Sequence, residues 1–218
     1  MFSMSPVEMG IAGREEEVLE RLRREPRYGP LFEQAFLREP DPIDWPNIIR
    51  AIASFERTLV SGDSPYDRYV FWDEGERFPE SARRGMELFF TDRLRCSECH
   101  SGFNLSGPVA HAGSPSPVPV FHNTALYDLD GRGAYPEDNR GTYEHTGVAS
   151  DMGRFRAPTL RNIALTGPYM HDGSLKSLEE VIAHYAAGGR ARGNPLKSPL
   201  LSGFEISAAE TADLLAFL

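Results

Sequence analysis

Cys96, Ser97, Glu98, Cys99 and His100 form the stretch of this 218-residue chain whose residue types and spacing carry the plainest chemistry. Two thiols separated by two residues at the start of a short helix can reach the two vinyl groups of one porphyrin. The adjacent imidazole of His100 can then turn onto the iron as proximal ligand. The run is therefore the attachment signature of a c-type haem, covalently held, and its single copy predicts one haem. Two other readings compete. A thioredoxin-like redox pair needs a βαβ setting, and strand-like runs are scarce. Half of a zinc site needs more Cys or His at ligand spacing, and these are the only two cysteines.

The elements that must position this motif read as helices. Arg14 to Arg24 is a short charged helix with Val18, Leu19 and Leu22 as its apolar face. Tyr28 to Leu37 places Leu31, Phe32, Ala35 and Phe36 at helical spacing until Pro40 and Pro42 interrupt it. A stronger helix opens with Asp44 as N-cap and Pro46 in its first turn. It carries Ile48, Ile49, Ile52, Phe55, Leu59 and Val60 on one face, and Gly62 ends it. Residues 61–78 read as turn and loop, with Ser64 to Asp67 starting a turn and Phe71 and Trp72 as packing residues. A helix from Pro79 to Phe90 leads into the haem motif, with Ala82, Gly85, Met86, Phe89 and Phe90 inward. Gly85 on that face would permit close helix–helix approach.

Residues 101–158 are rich in Gly and Pro with little periodicity, too long for an ordinary structureless loop. Loops wrapped around a large prosthetic group resolve this. One helical turn follows from Thr159 to Ala164. Ser177 to Glu180 opens a helix to Ala187, closed by Gly188 and Gly189. Ser207 to Glu210 opens a last helix with Leu214, Leu215 and Phe217. The expected fold is all-α: a cytochrome c-like helical domain, residues 79–218, around a covalently bound haem with long irregular loops. Residues 1–78 form a helical segment packed against it.

The formal net charge of −9 argues against a nucleic-acid partner. An acidic surface suits docking to a basic redox protein and equally serves solubility. No apolar run approaches the roughly 20 residues that span a bilayer. Met1 to Gly13 has no basic start or long apolar run of a signal peptide, whereas c-type haem is attached outside the cytoplasm. The chain also stops inside an apolar helix pattern. It is therefore expected to be a piece of a longer exported protein.

Several further motifs occur in a telling order. They are Ala53 to Gly62, Arg84 to Phe90, Cys96 to His100, Phe121 to Thr124, Gly153 to Asn162, Leu165 to Ser174, and His184-Tyr185. In this order they resemble the bacterial di-haem cytochrome c peroxidase and MauG family over nearly the whole chain. That family has two cytochrome c-like domains, an N-terminal peroxidatic haem and a C-terminal haem that relays electrons. With one C-x-x-C-H, the chain resembles the end of the first domain plus the complete second. The resemblance implies the electron-relay half of a periplasmic, hydrogen peroxide-reducing enzyme. Its partners would be a small cytochrome or copper protein, or a second haem domain. The alternative is a free-standing monohaem electron carrier without catalysis.

The resemblance also assigns residues. Tyr185 falls where peroxidases of the family have a distal Met ligand and MauG-like members a Tyr. Phenolate suits ferric iron, as in catalase. Met170 is the rival ligand, since thioether sulfur is the usual second ligand of electron-transfer cytochromes c. Thr166 and Pro168 match positions whose carbonyls help hold calcium between the two haem domains, an ion that needs about 6–8 oxygens. The remaining protein ligand there is an Asn of the absent domain. Glu8 resembles the acid–base residue lining the peroxide pocket of the N-terminal haem, and without that haem it is a loop Glu. Arg156 and Arg161 suit haem propionates, with surface ion pairs as the alternative. His122 is expected to pack at the haem edge without ligating. His111, His145 and His184 read as solvated or structural.

Overall fold

The computed structural model describes residues 10–37, 39–72, 78–107 and 120–218. It divides into two compact units, Met1–Gly62 and Asp63–Leu218. The first holds α1 (Glu15–Arg24), α2 (Tyr28–Ala35) and α3 (Trp45–Glu56). Asp44 caps α3 by accepting from the Asn47 amide at 2.8 Å. Leu19, Phe32, Ile43 and Ile48 form the core of the unit, with Leu22, Phe36, Trp45 and Ile52 packed on it. The expected helix to Val60 stops at Glu56. Beyond it Leu59 and Val60 are exposed and have no burial to gain. The Thr58 hydroxyl instead donates to the Phe55 carbonyl at 2.7 Å and closes a tight turn.

The second unit opens with α4 (Pro65–Phe71), where the sequence suggests only a turn. Ser64 and Asp67 make a reciprocal capping box around a first-turn proline, enough to nucleate a helix of 7 residues. Phe71 and Trp72, expected as packing residues, stay 58% and 54% exposed. α5 (Glu80–Phe89) leads toward the cysteines, and α8 (Ala208–Phe217) crosses it. Gly85 makes the crossing possible: a Cβ there would overlap the Asp213 carbonyl. Arg84 clamps the same point through a bidentate pair with Asp213 at 2.7 Å. Phe89, Leu94, Leu105, Ile182 and Leu214 form the core. Ile182 belongs to α7 (Leu178–Ala186), whose N-cap Ser177 accepts from the Glu180 amide.

Two short strands add to the all-α expectation. β1 (Phe121–Asn123) pairs antiparallel with β2 (Arg154–Arg156), His122 opposite Phe155. α6 (Tyr143–Thr146) lies between them. Three-residue strands have no periodicity to read. Asn123 orders the surrounding irregular backbone. Its Oδ1 accepts from the Ala125 amide and the Tyr135 hydroxyl, each at 2.8 Å, and its Nδ2 donates to the Met152 carbonyl at 2.9 Å. A buried side chain satisfied in this way stands in for sheet or helix ladders.

Candidate functional site

Arg95 enters the motif in the left-handed conformation, φ 58°. A single 3-10 turn, Cys96–Glu98, follows, and the His100 amide donates back to the Cys96 carbonyl at 3.0 Å. Both thiols are free and half-buried. Burial pushes the Cys96 thiol up to about 11 and raises Cys99 as well. A thiol–disulfide exchanger needs the opposite shift, because thiolate is its nucleophile. His100 Nδ1 donates to the Leu105 carbonyl at 3.0 Å. This fixes the tautomer and leaves the Nε2 lone pair for a metal. Burial holds the imidazole below the usual histidine range, opposed by the Leu105 and Pro158 carbonyls facing the ring. It is thus neutral and able to ligate.

α7 brings Tyr185 to the same place. Ile182 anchors the helix in the core, against which Cys96 also packs, and Tyr185 lies one turn on, on the same side. Burial and then the nearby Cys99 and Cys96 sulfurs push the Tyr185 hydroxyl well above the ordinary tyrosine range. Its neighbour His184 is buried and donates through Nε2 to the Thr124 carbonyl at 2.9 Å, tying α7 to the end of β1. Met170, the rival ligand, is half-buried at φ 67° in a turn closed by the Tyr169–Leu175 backbone pair. A cleft of about 170 Å³ opens beside the motif, lined by Glu98, Cys99, Ser101, His122, Arg156 and Leu200 among others.

The description "Di-haem cytochrome c peroxidase" belongs to the family model that matches residues 2–75. The methylamine utilization protein MauG of Methylorubrum extorquens is 38% identical over 201 residues, which cover 92% of this chain and 51% of that protein. A cytochrome-c peroxidase of Denitromonas iodatirespirans is 34% identical over 236 residues, 98% of this chain and 60% of that one. A solved MauG-like protein associated with microbial copper homeostasis superposes with a TM-score of 0.84 at 44% identity, over 94% of this chain and 61% of that chain. The chain belongs to the di-haem cytochrome c peroxidase and MauG family. It spans about half the length of the curated relatives it matches, 51% of the MauG protein. Membership implies c-type haem. The residues fit one: two unbridged thiols, a neutral imidazole with one nitrogen committed, and a phenol beside both sulfurs.

The other family positions fare differently. Arg156 is exposed on the cleft that Cys99 also lines, so its guanidinium is placed to meet a carboxylate there. Arg161, expected as a propionate partner or in a surface ion pair, makes an ion pair with Asp67 that is buried rather than on the surface. Its two Nη atoms grip Asp67 at 2.8 Å each, and its Nε and Nη2 donate to the Phe103 carbonyl at 3.0 and 2.6 Å. The Asp67 side chain is 1% exposed, and this pair holds its carboxyl near 2, at about 2 against the usual 3.8. Thr166 and Pro168 lie on an exposed segment, where two carbonyls alone cannot complete a calcium shell. His145 is exposed. Glu8 and His111 lie outside the described residues. Asp67, Thr159 and the Leu105 carbonyl are hydrogen-bond partners of Arg161, the Asn104 carbonyl and His100 that sequence reasoning missed. The Ser64–Asp67 capping pair signals Asp67 locally, but nothing local points to Arg161.

Proposed function

We propose that this chain is the electron-relay part of a di-haem cytochrome c peroxidase or MauG-like enzyme, holding one covalent haem c in a cytochrome c-like domain. The observation that carries the reading is the convergence of Cys96, Cys99, His100 and Tyr185 on one place. When bound, the haem supplies one-electron oxidation and reduction. Cys96 and Cys99 would hold it through thioethers, and His100 Nε2 and the Tyr185 oxygen would be its iron ligands. Arg156 pairs with a propionate at the mouth of the cleft. Tyr185 would ligate as phenolate, the charge of a ferric ion offsetting the burial that raises its pKa.

Residues 1–78 are the remnant of an N-terminal haem domain and its linker, and residues 79–218 the relay domain. Glu8 would be the acid–base residue of the peroxidatic haem, with hydrogen peroxide as acceptor in the full enzyme. Thr166 and Pro168 would contribute carbonyls to a calcium ion completed by the other haem domain. A small cytochrome or copper protein donates the electrons, and the enzyme works in the periplasm. Among the described residues no helix is long and apolar enough to cross a membrane.

The test is turnover by the matured chain alone. It should take up one electron per chain reversibly and yet reduce peroxide far below the roughly 1–10³ per second of ordinary enzymes. Turnover within that range would overturn the relay assignment.

A further inference from the structure

Leu105 adopts φ 49°, a left-handed conformation that is unfavourable for a residue with a Cβ and persists only where its surroundings enforce it. Its carbonyl is the acceptor for His100 Nδ1 at 3.0 Å. The two carbonyls just before it are held from outside the loop. Arg161 donates twice to the Phe103 carbonyl, and the Thr159 hydroxyl donates to the Asn104 carbonyl at 2.6 Å. The Arg161 guanidinium also lies 4.1 Å from the Phe103 ring centroid. Arg161 is itself held by Asp67, which accepts from the Ser64 amide and hydroxyl at 2.9 and 2.7 Å.

We infer that Asp67, Arg161 and Thr159 are positioning residues that set the reduction potential of the haem through His100. The inference rests on the proposed role of His100 as iron ligand. Against apolar residues of similar volume a buried ion pair adds little net stability, because desolvation offsets the Coulombic gain. This one fixes geometry instead. It aims three consecutive carbonyls so that the last meets the ring N–H. A firm Nδ1–H···O=C bond makes Nε2 a stronger donor, which favours ferric iron and lowers the potential. Loosening the brace lets Leu105 relax, weakens that bond and raises the potential.

The test is potentiometric titration of the matured, haem-loaded full chain and its variants. Thr159→Val removes the hydroxyl donor at an exposed position, and Arg161→Lys keeps the charge facing Asp67 but loses the fork that reaches Phe103. Both should shift the midpoint potential upward, and Thr159→Ser should restore it. Arg84→Gln breaks the α5–α8 ion pair, which touches no carbonyl of this loop, and should leave the potential unchanged. Should Arg161→Lys fail to fold, Thr159→Val against Thr159→Ser decides alone. Wild-type potentials in haem-loaded Thr159→Val would overturn the inference, as would an equal shift in Arg84→Gln. A wild-type chain without haem would instead overturn the proposed function, a separate and distinguishable failure.

Discussion

Tyr185 is a neutral phenol in a desolvated place, and only a strong positive charge would make it give up its proton there. With iron bound, phenolate should stabilise the ferric state and hold the potential low. Axial ligands move haem potentials over about 0.8 V, so the ligand choice is easy to read. Tyr185→Phe is expected to change the ferric absorption spectrum and raise the midpoint potential, while Met170→Leu leaves both nearly intact. Loss of a sulfur-to-iron charge-transfer band in Met170→Leu would transfer the role to Met170. At this scale the sequence offered candidates wherever the chemistry is local. Cys96, Cys99 and His100 are neighbours, and Tyr185 has a readable family register. The Asp67 partner of Arg161 was not legible, because that carboxylate lies 94 residues away, where no spacing rule reaches.

Among the elements, the contact of α5 with α8 and the bridge from α4 each make a measurable claim. In Gly85→Ala the new methyl would meet the Asp213 backbone, which cannot rotate aside. Overpacking costs about 1–3 kcal/mol, and a backbone clash belongs at the upper end of that range. It should outweigh the roughly 1 kcal/mol that Ala gains over Gly in helix propensity. Denaturant melts should therefore show a less stable variant, and a more stable one would refute the close approach. The α4 bridge is read by pH. The Arg161 hydrogen bonds depress the Asp67 pKa from 3.8 to about 2. Its contribution is thus present above pH 4 or so and fades as the pH falls toward about 2, a loss of roughly 2 kcal/mol. Asp67→Asn should lack that component of acid destabilisation; an acid profile identical to wild type would contradict the ion pair. Long helices were legible from periodicity, and Ser207 and Asp44 marked their starts correctly. α4 was missed because 7 residues give too little pattern, and β1 and β2 because Asn123 orders them through contacts that no local signal announces.

For the molecule as a whole, the proposal of one relay domain rests on family membership, a single C-x-x-C-H and a span of about half the length of its relatives. The second unit, Asp63–Leu218, contains every residue proposed to hold the haem, and α4 belongs with it. The helix-rich character was legible in the sequence, since amphipathic stripes and caps are repeated signals that reinforce one another. How residues 120–158 would enclose a cofactor was not, because their order comes from scattered hydrogen bonds rather than from any period. The central claim is that Cys96, Cys99 and His100 hold one covalent haem. It is tested most directly by a pyridine haemochrome assay, with a haem stain of the denatured chain, after co-expression with the c-type maturation machinery. The account predicts one haem per chain, surviving denaturation and lost in a Cys96→Ala, Cys99→Ala double variant. Two haems per chain, or none in the matured wild type, would contradict it.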